Sequence, residues 1–594
     1  MPPEQDLPAA APGPVSYELR LVRTVDATGF FAAVPTETWS LDEAIEYLQE
    51  HPLDEFMHRH LLQALSALCE KERSRILSGT NTRASVASAL LAELAALERE
   101  TAPSRPSSPA AIFPVAAGHR RFSPLIDLRS EALADQDLHR RWSQIFRSNT
   151  EQLNPMPPIG DIDLPLPFSE NQMAVALRPA VHIDGVHRGR SPVSPDIEEP
   201  PSPEEIARLA LSRLSSAGLL EGGEMRHETS LSPVGLLRRW RFDTSIRCGR
   251  LHYRLSGIQT SYGRGFSLDT ARARCLMEIV ERASAFASVD ADRVCGRRME
   301  TPLFNGTFRQ LDAAKGPVPL DPNQLRLEVP YDGEPLYWIK GERVDRTGSE
   351  AVLVPFQCVF LFANLDETAL FSGLASTGLA SGASPAGARL SALMEVIERD
   401  AESVGFFDPN RCFRLAADDP FIDGLLADYR ARGVDVFFQD ITGGTGIPCF
   451  KAFVCTGDGA VAKGTGAHLD GRFALLSALT EVPYPYPSGP PSAKGPGGLP
   501  VRQFETLPHY AVGRPEPDLS LTEAVLLENG YAPIYVDITR ADLQLPVVRA
   551  LVPGLEIMTD FDRFSRFSPR HFAECYRLAG QANPRVSIDS DFSS

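Results

Sequence analysis

An α/β fold is predicted, with long helices laid on sheet and a mostly helical region in front of it. Three observations predict it. Strand-like runs at 250–261, 351–362, 434–441, 449–455, 531–538 and 547–555 alternate with helical periodicity at 269–287, 385–405, 420–431, 471–482 and 521–529. Before about residue 235, apolar residues recur mainly at helical spacing instead. A block also repeats: LMEIVER at 276–282 returns as LMEVIER at 393–399, and LSALTEV at 476–482 matches LSALMEV at 390–396.

The elements follow in order. Residues 1–16 are rich in Pro and Ala and are expected to form a disordered tail. Short apolar stretches at 18–36 suit strands. Ser40 with Glu43 three residues later is a capping box, opening a helix over 41–50. Helical spacing runs from Phe56 to Leu77 and from Val86 to Leu97, and a Pro/Ser-rich stretch occupies 102–116. A helix is predicted over 128–146 and another over 203–219, with Pro201 near the start of the latter and Gly218 near its end. The domains expected are a mostly helical N-terminal region at 17–150, a Pro-rich connector at 151–201, a helical lead-in at 202–235, the α/β domain at 236–562 and a polar C-terminal extension at 563–594.

Composition narrows the function. The 594 residues are enough for more than one domain, and 43% hydrophobic content is ordinary for a globular protein. With 77 acids against 59 Lys and Arg, the formal charge is −18, which argues against nucleic-acid or anionic-membrane binding. No apolar run is long enough to span a bilayer, and the first residues lack the basic and apolar regions of a secretion signal. The nine cysteines form no CxxC pair, so buried, reduced thiols in a cytoplasmic protein are expected.

The repeated blocks carry the chemistry. Glu278, Glu395 and Glu481 end the three segments in the same local setting, and Glu281 and Glu398 follow the first two at i+3. Residues three apart stand about 60° apart around a helix, so each Glu pair faces one ligand. Ser391 lies one turn before Glu395, where the first copy has Arg274 and the third has Ser477. For one helix alone, solvent-facing acids with i,i+4 partners such as Glu278–Arg282 and Glu395–Arg399 would be the plain reading. Recurrence points to convergence instead. Clustered carboxylates raise one another's pKa unless a cation sits among them, and Mg2+ takes carboxylate and phosphate oxygens. Arg264, Arg274, Arg282, Arg399 and Lys463 supply positive charge for phosphate, although no P-loop sequence is present. His182 and His187 flank a turn and give a weak metal signal. His468 beside Asp470 suits a loop or cap better than proton transfer. No Ser-His-Asp order or Cys-His pairing nominates a catalytic residue.

These blocks, with GRGFS, STGLASG, GIPCFKAFVC, GTGAHLDG and VVRALVPGLE in this order, resemble the YcaO-like superfamily over roughly residues 236–562. The resemblance implies an α/β domain whose helices carry ATP and several Mg2+ ions. It implies phosphorylation of a backbone amide oxygen in a peptide or protein, followed by heteroatom substitution to azolines, thioamides or amidines. Carried over by position, Glu278, Glu281, Glu395, Glu398 and Glu481 would be metal and phosphate acids. Ser391, Arg264, Arg274, Arg282 and Arg399 would be further cofactor-binding residues. Thioamidation within biosynthesis of ribosomally made, modified peptides fits best. A partner protein supplying nucleophile or recognition is expected, as is a homodimer.

Several positions depart from that pattern. Arg264 replaces a common lysine, Arg274 a serine, Thr377 an asparagine and Gly387 an acid. Tyr484 and Tyr486, within PYPYP, replace a glutamine and an arginine after the third acid. An azoline-forming enzyme is therefore disfavoured. The alternative is an accessory protein, with little or no ATP use, for sulfur-related modification of the methylthiolation type or for peptide binding.

Overall fold

Two strands of the long hairpin, Val234–Cys248 and Leu251–Gly265, form the spine of the largest sheet in the computed structural model, which describes residues 14–22, 30–77, 85–101, 121–188, 200–557 and 560–578. Their side chains alternate between buried and exposed, as period-2 patterning requires of a sheet covered on one face. Trp240, Phe242, Ile246, Tyr253 and Leu255 fill the buried face and pack with Leu276, Ile279, Val280 and Ala283 of helix Leu268–Ala285. Each large apolar side chain buried there is worth about 1.5–3 kcal/mol.

The N-terminal strands Val15–Val22 and Phe30–Pro35 belong to this same sheet, because Val15–Leu19 runs parallel to Tyr253–Gly257. A second sheet orders 318–319, 348–355, 336–345, 534–537, 547–551 and 379–381, with 304–306 on its flank. A third orders 461–467, 449–455, 436–440, 412–416 and 501–503. Sheets and long helices thus alternate as the sequence predicts.

Polar and aromatic contacts tie distant segments together at two places. Asp54, with no exposure, accepts hydrogen bonds from Tyr17 Oη (2.8 Å), Tyr47 Oη (2.8 Å), Asn364 Nδ2 (3.1 Å) and the Met57 amide (3.1 Å). Near the other end, helix Pro569–Leu578 packs on helix Gln136–Gln152 around Trp142, Phe146, Phe406, Phe567 and Phe572. Arg566 pairs with Asp135 at 2.7 Å and Arg570 with Asp400 at 2.6 Å.

Some elements differ from their expected bounds. The capping box at Ser40 and Glu43 forms, and helix Leu41–Glu50 begins where expected. The periodic stretch from Phe56 to Leu77 divides into Glu55–Ser66 and Glu70–Leu77. The Glu72 carboxylate takes the Cys69 amide at 3.2 Å and so starts a new helix there. The helix expected at 128–146 is Gln136–Gln152, preceded by a short turn at Asp127–Ser130. The last predicted helix starts earlier, at Pro515, a residue suited to a first turn. The stretch at 102–116, the first 13 residues and the last 16 lie outside the described residues. No disulfide joins the cysteines, and Cys248, Cys275, Cys358, Cys412, Cys449 and Cys575 are buried. Among the described residues, no helix is long and apolar enough to cross a membrane.

Candidate active site

Three strand–helix units present the acids. Ser267, Ser384 and Asp470 cap helices Leu268–Ala285, Pro385–Val404 and Gly471–Glu481, each through a side-chain oxygen that accepts a first-turn amide. The first and third units share one register. A Cβ on Gly263 would stand 1.9 Å from the Ala271 carbonyl oxygen, and one on Gly466 would stand 2.2 Å from that of Ala474. Only glycine lets strand and helix backbones meet so closely. Since both contacts are eight residues long (263 to 271, 466 to 474), Glu278 and Glu481 fall at equivalent points of their helices.

The acids stitch the units into a ring. Glu278 accepts from the Tyr262 amide of its own strand at 2.9 Å. Ser381, on the strand that leads into the second helix, donates its hydroxyl to the Met277 carbonyl of the first helix at 2.9 Å, one turn from Glu281. Glu398 accepts from the Ala467 amide of the third unit at 3.2 Å. Glu481 closes the circle, with Arg399 of the second unit and Arg264 and Arg274 of the first as its cationic neighbours.

Electrostatics show how tightly the acids are gathered. Burial, reinforced by Glu395 and Glu278, pushes the Glu281 carboxyl up to about 8 despite Arg282 beside it. Burial raises Glu395, although Arg282, Arg399 and Arg549 oppose it, and Glu481 adds to the rise. Glu398 is raised by burial first and by Glu481 next. Burial likewise raises Glu481 and the partly exposed Glu278. Acids from three helices therefore repel one another across the helices: Glu395 raises Glu281, and Glu481 raises both Glu395 and Glu398. Among the described residues, no three His, Cys, Asp or Glu side chains are grouped so as to hold one ion.

The motif arginines lie within this ring. Arg282 Nε stands 3.6 Å from Glu281 and 3.9 Å from Glu278. Arg399 reaches Glu398 at 3.1 Å and Glu402 at 2.6 Å. Arg274 donates to the Arg264 carbonyl at 3.2 Å, and Arg264 Nε is buried without a hydrogen-bond partner. Ser391 is exposed one turn before Glu395.

Other sequence candidates have structural occupations. His468 Nδ1 accepts from the Asp470 amide at 2.9 Å, while Asp470 caps the third helix and pairs with Arg472 and His509. His182 is tied to Asp184 at 3.2 Å, and His187 lies edge-on to Tyr510. Tyr484 and Tyr486 are engaged with partners other than the acids. Tyr484 is buried and donates to the Pro490 carbonyl at 2.9 Å, whereas Tyr486 donates to Asp428 and packs edge-on against Tyr429.

Three charged residues escaped the sequence reading. Glu402 extends the acidic row by one turn and holds Arg399. Lys451, buried in strand Cys449–Cys455, donates to the Glu402 and Gly405 carbonyls at the end of the second helix. Arg549 is buried in strand Val547–Leu551 near Glu395 and Glu281. The available signal was a lone cation inside an apolar strand, in CFKAFVC and in VVRAL.

The chain is similar to several known proteins. The family described as YcaO cyclodehydratase, ATP- and Mg2+-binding, matches residues 262–483, a span holding all five acids. An uncharacterized protein of Methanothermobacter thermautotrophicus is 32% identical over 344 residues, covering 51% of this chain and 84% of that protein. A Rhizobium leguminosarum bv. trifolii protein from the tfuA 3′ region is 27% identical over 238 residues, covering 37% of this chain and 53% of its own. Among solved structures, YcaO from Methanopyrus kandleri bound with AMPPCP and Mg2+ is 21% identical, with a TM-score of 0.42 over 60% of this chain and 91% of that one. A heterocyclase in complex with substrate and cofactor is 19% identical, with a TM-score of 0.46 over 63% of this chain. The chain spans 55% of that heterocyclase's length. By the family match over residues 262–483, that region of the chain belongs to the YcaO family.

Proposed function

We propose that this protein binds ATP and Mg2+ across the three acidic helices and activates a backbone amide of a peptide or protein for heteroatom substitution, with a thioamide the favoured product. One observation carries the reading: five carboxylates from three separate helices converge, each raised by its surroundings although arginines stand among them. The donor set fits the proposed ligands. Carboxylate oxygens suit Mg2+, and the unpartnered Arg264 Nε suits a phosphate oxygen.

In this reading Glu281 with Glu395, and Glu398 with Glu481, hold cations, while Glu278 supports the first pair. Arg282 and Arg399 lie beside those acids and meet phosphate charge. The nucleotide supplies the phosphoryl group that makes an amide oxygen a leaving group. The protein's own contribution is positioning and fixed charge, which dominate phosphoryl transfer. A peptide substrate and a partner protein that supplies nucleophile or recognition belong to the same proposal, as do a homodimer and a cytoplasmic setting.

Titration with ATP at fixed Mg2+, beside a Glu395→Gln/Glu398→Gln variant, tests the site. Saturable heat is expected for the wild type, with affinity weakened more than about tenfold in the variant. Equal heats for both proteins would sink the reading. The accessory role has one observation in its favour: Tyr484 and Tyr486 stand where a glutamine and an arginine are expected, and both are packed elsewhere. Phosphate release with peptide and partner present separates the two, because an accessory protein would bind nucleotide without turnover.

A further inference from the structure

Strand Phe30–Pro35 is the outermost of the largest sheet and, among the described residues, pairs only with Val15–Val22. The Thr36 amide donates to the Ser16 carbonyl at 2.9 Å, so by alternation Val34 and Ala32 also turn their backbone groups toward that neighbour. The amides and carbonyls of Phe31 and Ala33 therefore face outward, where none of the described residues pairs with them. Pro35, the third outward residue, has no N–H to leave unmade. The strand reads FFAAVP and carries none of the charged side chains that commonly keep an edge from pairing.

That edge opens on a cavity of about 590 Å³, a size suited to ligand binding. Phe31, Ala32, Ala33 and Val34 all line it. Side chains alternate between faces, so four consecutive residues mean that the strand turns its backbone edge to the space. Phe56, Leu62, Leu97, Phe360, Leu365 and Phe371 supply apolar wall. The walls are fixed: Arg59 of helix Glu55–Ser66 donates to the Ser372 carbonyl at 2.9 Å, and the Leu361 amide donates to the Ala285 carbonyl at 3.0 Å. At the strand end Phe31 and Leu21 stand opposite each other, both exposed. None of the five acids lines this cavity.

A hydrocarbon or a small aromatic molecule would fill the volume but leave the outward backbone groups without partners in apolar surroundings. An extended polypeptide meets both needs, with amides and carbonyls at strand spacing and alternate side chains for the cavity. A second copy offering the same strand would bring Ala32 and Ala33 to the space and leave it largely unfilled. We propose that this edge and cavity form a docking site for an extended segment of a separate polypeptide, which adds as a further strand and sets large apolar side chains against Phe56, Phe360 and Phe371.

A random peptide library displayed on phage and selected on the full-length protein tests the site. The blocking variant is Gly373→Trp: Gly373 lines the cavity, and a Cβ there meets nothing within 4 Å, so bulk enters without a backbone clash. Selection should enrich sequences with large apolar residues at alternate positions. The best of them, synthesised with a fluorescent label, should bind Gly373→Trp at least about tenfold more weakly than wild type. N-methylation of alternate residues removes the N–H groups from one peptide edge. One of the two alternate sets should abolish binding, and the other should leave it within about twofold. No enrichment over Gly373→Trp, equal affinity for that variant, or indifference to both N-methyl sets overturns the proposal. Light scattering that finds dimers of wild type but not of Gly373→Trp overturns it in favour of a second copy. If Gly373→Trp fails to fold, Phe31→Lys, which sets a charge at the exposed rim, decides by the same readings.

Discussion

Glu367 is a carboxyl whose burial has a measurable consequence away from the acidic ring. It is 7% exposed and accepts from the Tyr337 amide at 2.6 Å and Gln357 Nε2 at 3.0 Å. Burial nevertheless outweighs these donors and pushes it up to about 8. Between about 4.5 and about 8 the folded protein therefore holds a proton that the unfolded chain has released. Its contribution to stability is complete below the lower value and is lost as pH rises toward the upper one. Denaturant melts across this window should show stability falling by up to about 1.4 kcal/mol per pH unit from this group, and Glu367→Gln should flatten that slope. An unchanged slope in the variant would place the effect elsewhere. Little of this was readable in LDET, because what withdraws the carboxylate from water is chain far from it in sequence.

The strand–helix unit explains both what could be read and what could not. Replacing Gly466 with Ala would place a methyl group 2.2 Å from a backbone carbonyl, a contact that no side-chain rotation relieves. About 1–3 kcal/mol of destabilisation is expected, seen as a lowered denaturation midpoint, with Gly263→Ala behaving alike. A wild-type midpoint would mean that strand and helix are free to part. The acidic helices were legible because the motif recurs, and recurrence survives without knowledge of neighbours. The direction taken after Pro483 was not. Proline ended the helix as expected, but Asp428 and Tyr429, on a helix some 55 residues earlier in the chain, decide where Tyr486 goes. The break between Ser66 and Glu70 was hidden for a related reason, since Glu72 has equal claims as a helix-interior residue and as a cap.

Across the whole molecule, the N-terminal helices share the main apolar core of the α/β region, and one buried carboxylate adds a polar tie between them. Asp54→Ala would strand the hydroxyl of Tyr17 and the amide of Asn364 in a dry interior and release the half-buried Tyr47 hydroxyl. A loss of about 2–4 kcal/mol is expected, with earlier protease cleavage in residues 30–101 than in the wild type. Equal cleavage rates would show that the N-terminal segment is held by its apolar contacts alone. The sequence showed this region as a helical addition, because a parallel pairing between residues 15 and 253 leaves no local trace. The aromatic cluster of Trp142, Phe146, Phe567 and Phe572 has a consequence for how the protein is made. A ribosome must deliver residues 567 to 572 before Trp142 and Phe146 gain the last of those rings as cover. Until then a nascent chain displays greasy surface that invites chaperones, and a message cut short near codon 560 would yield a product marked for clearance.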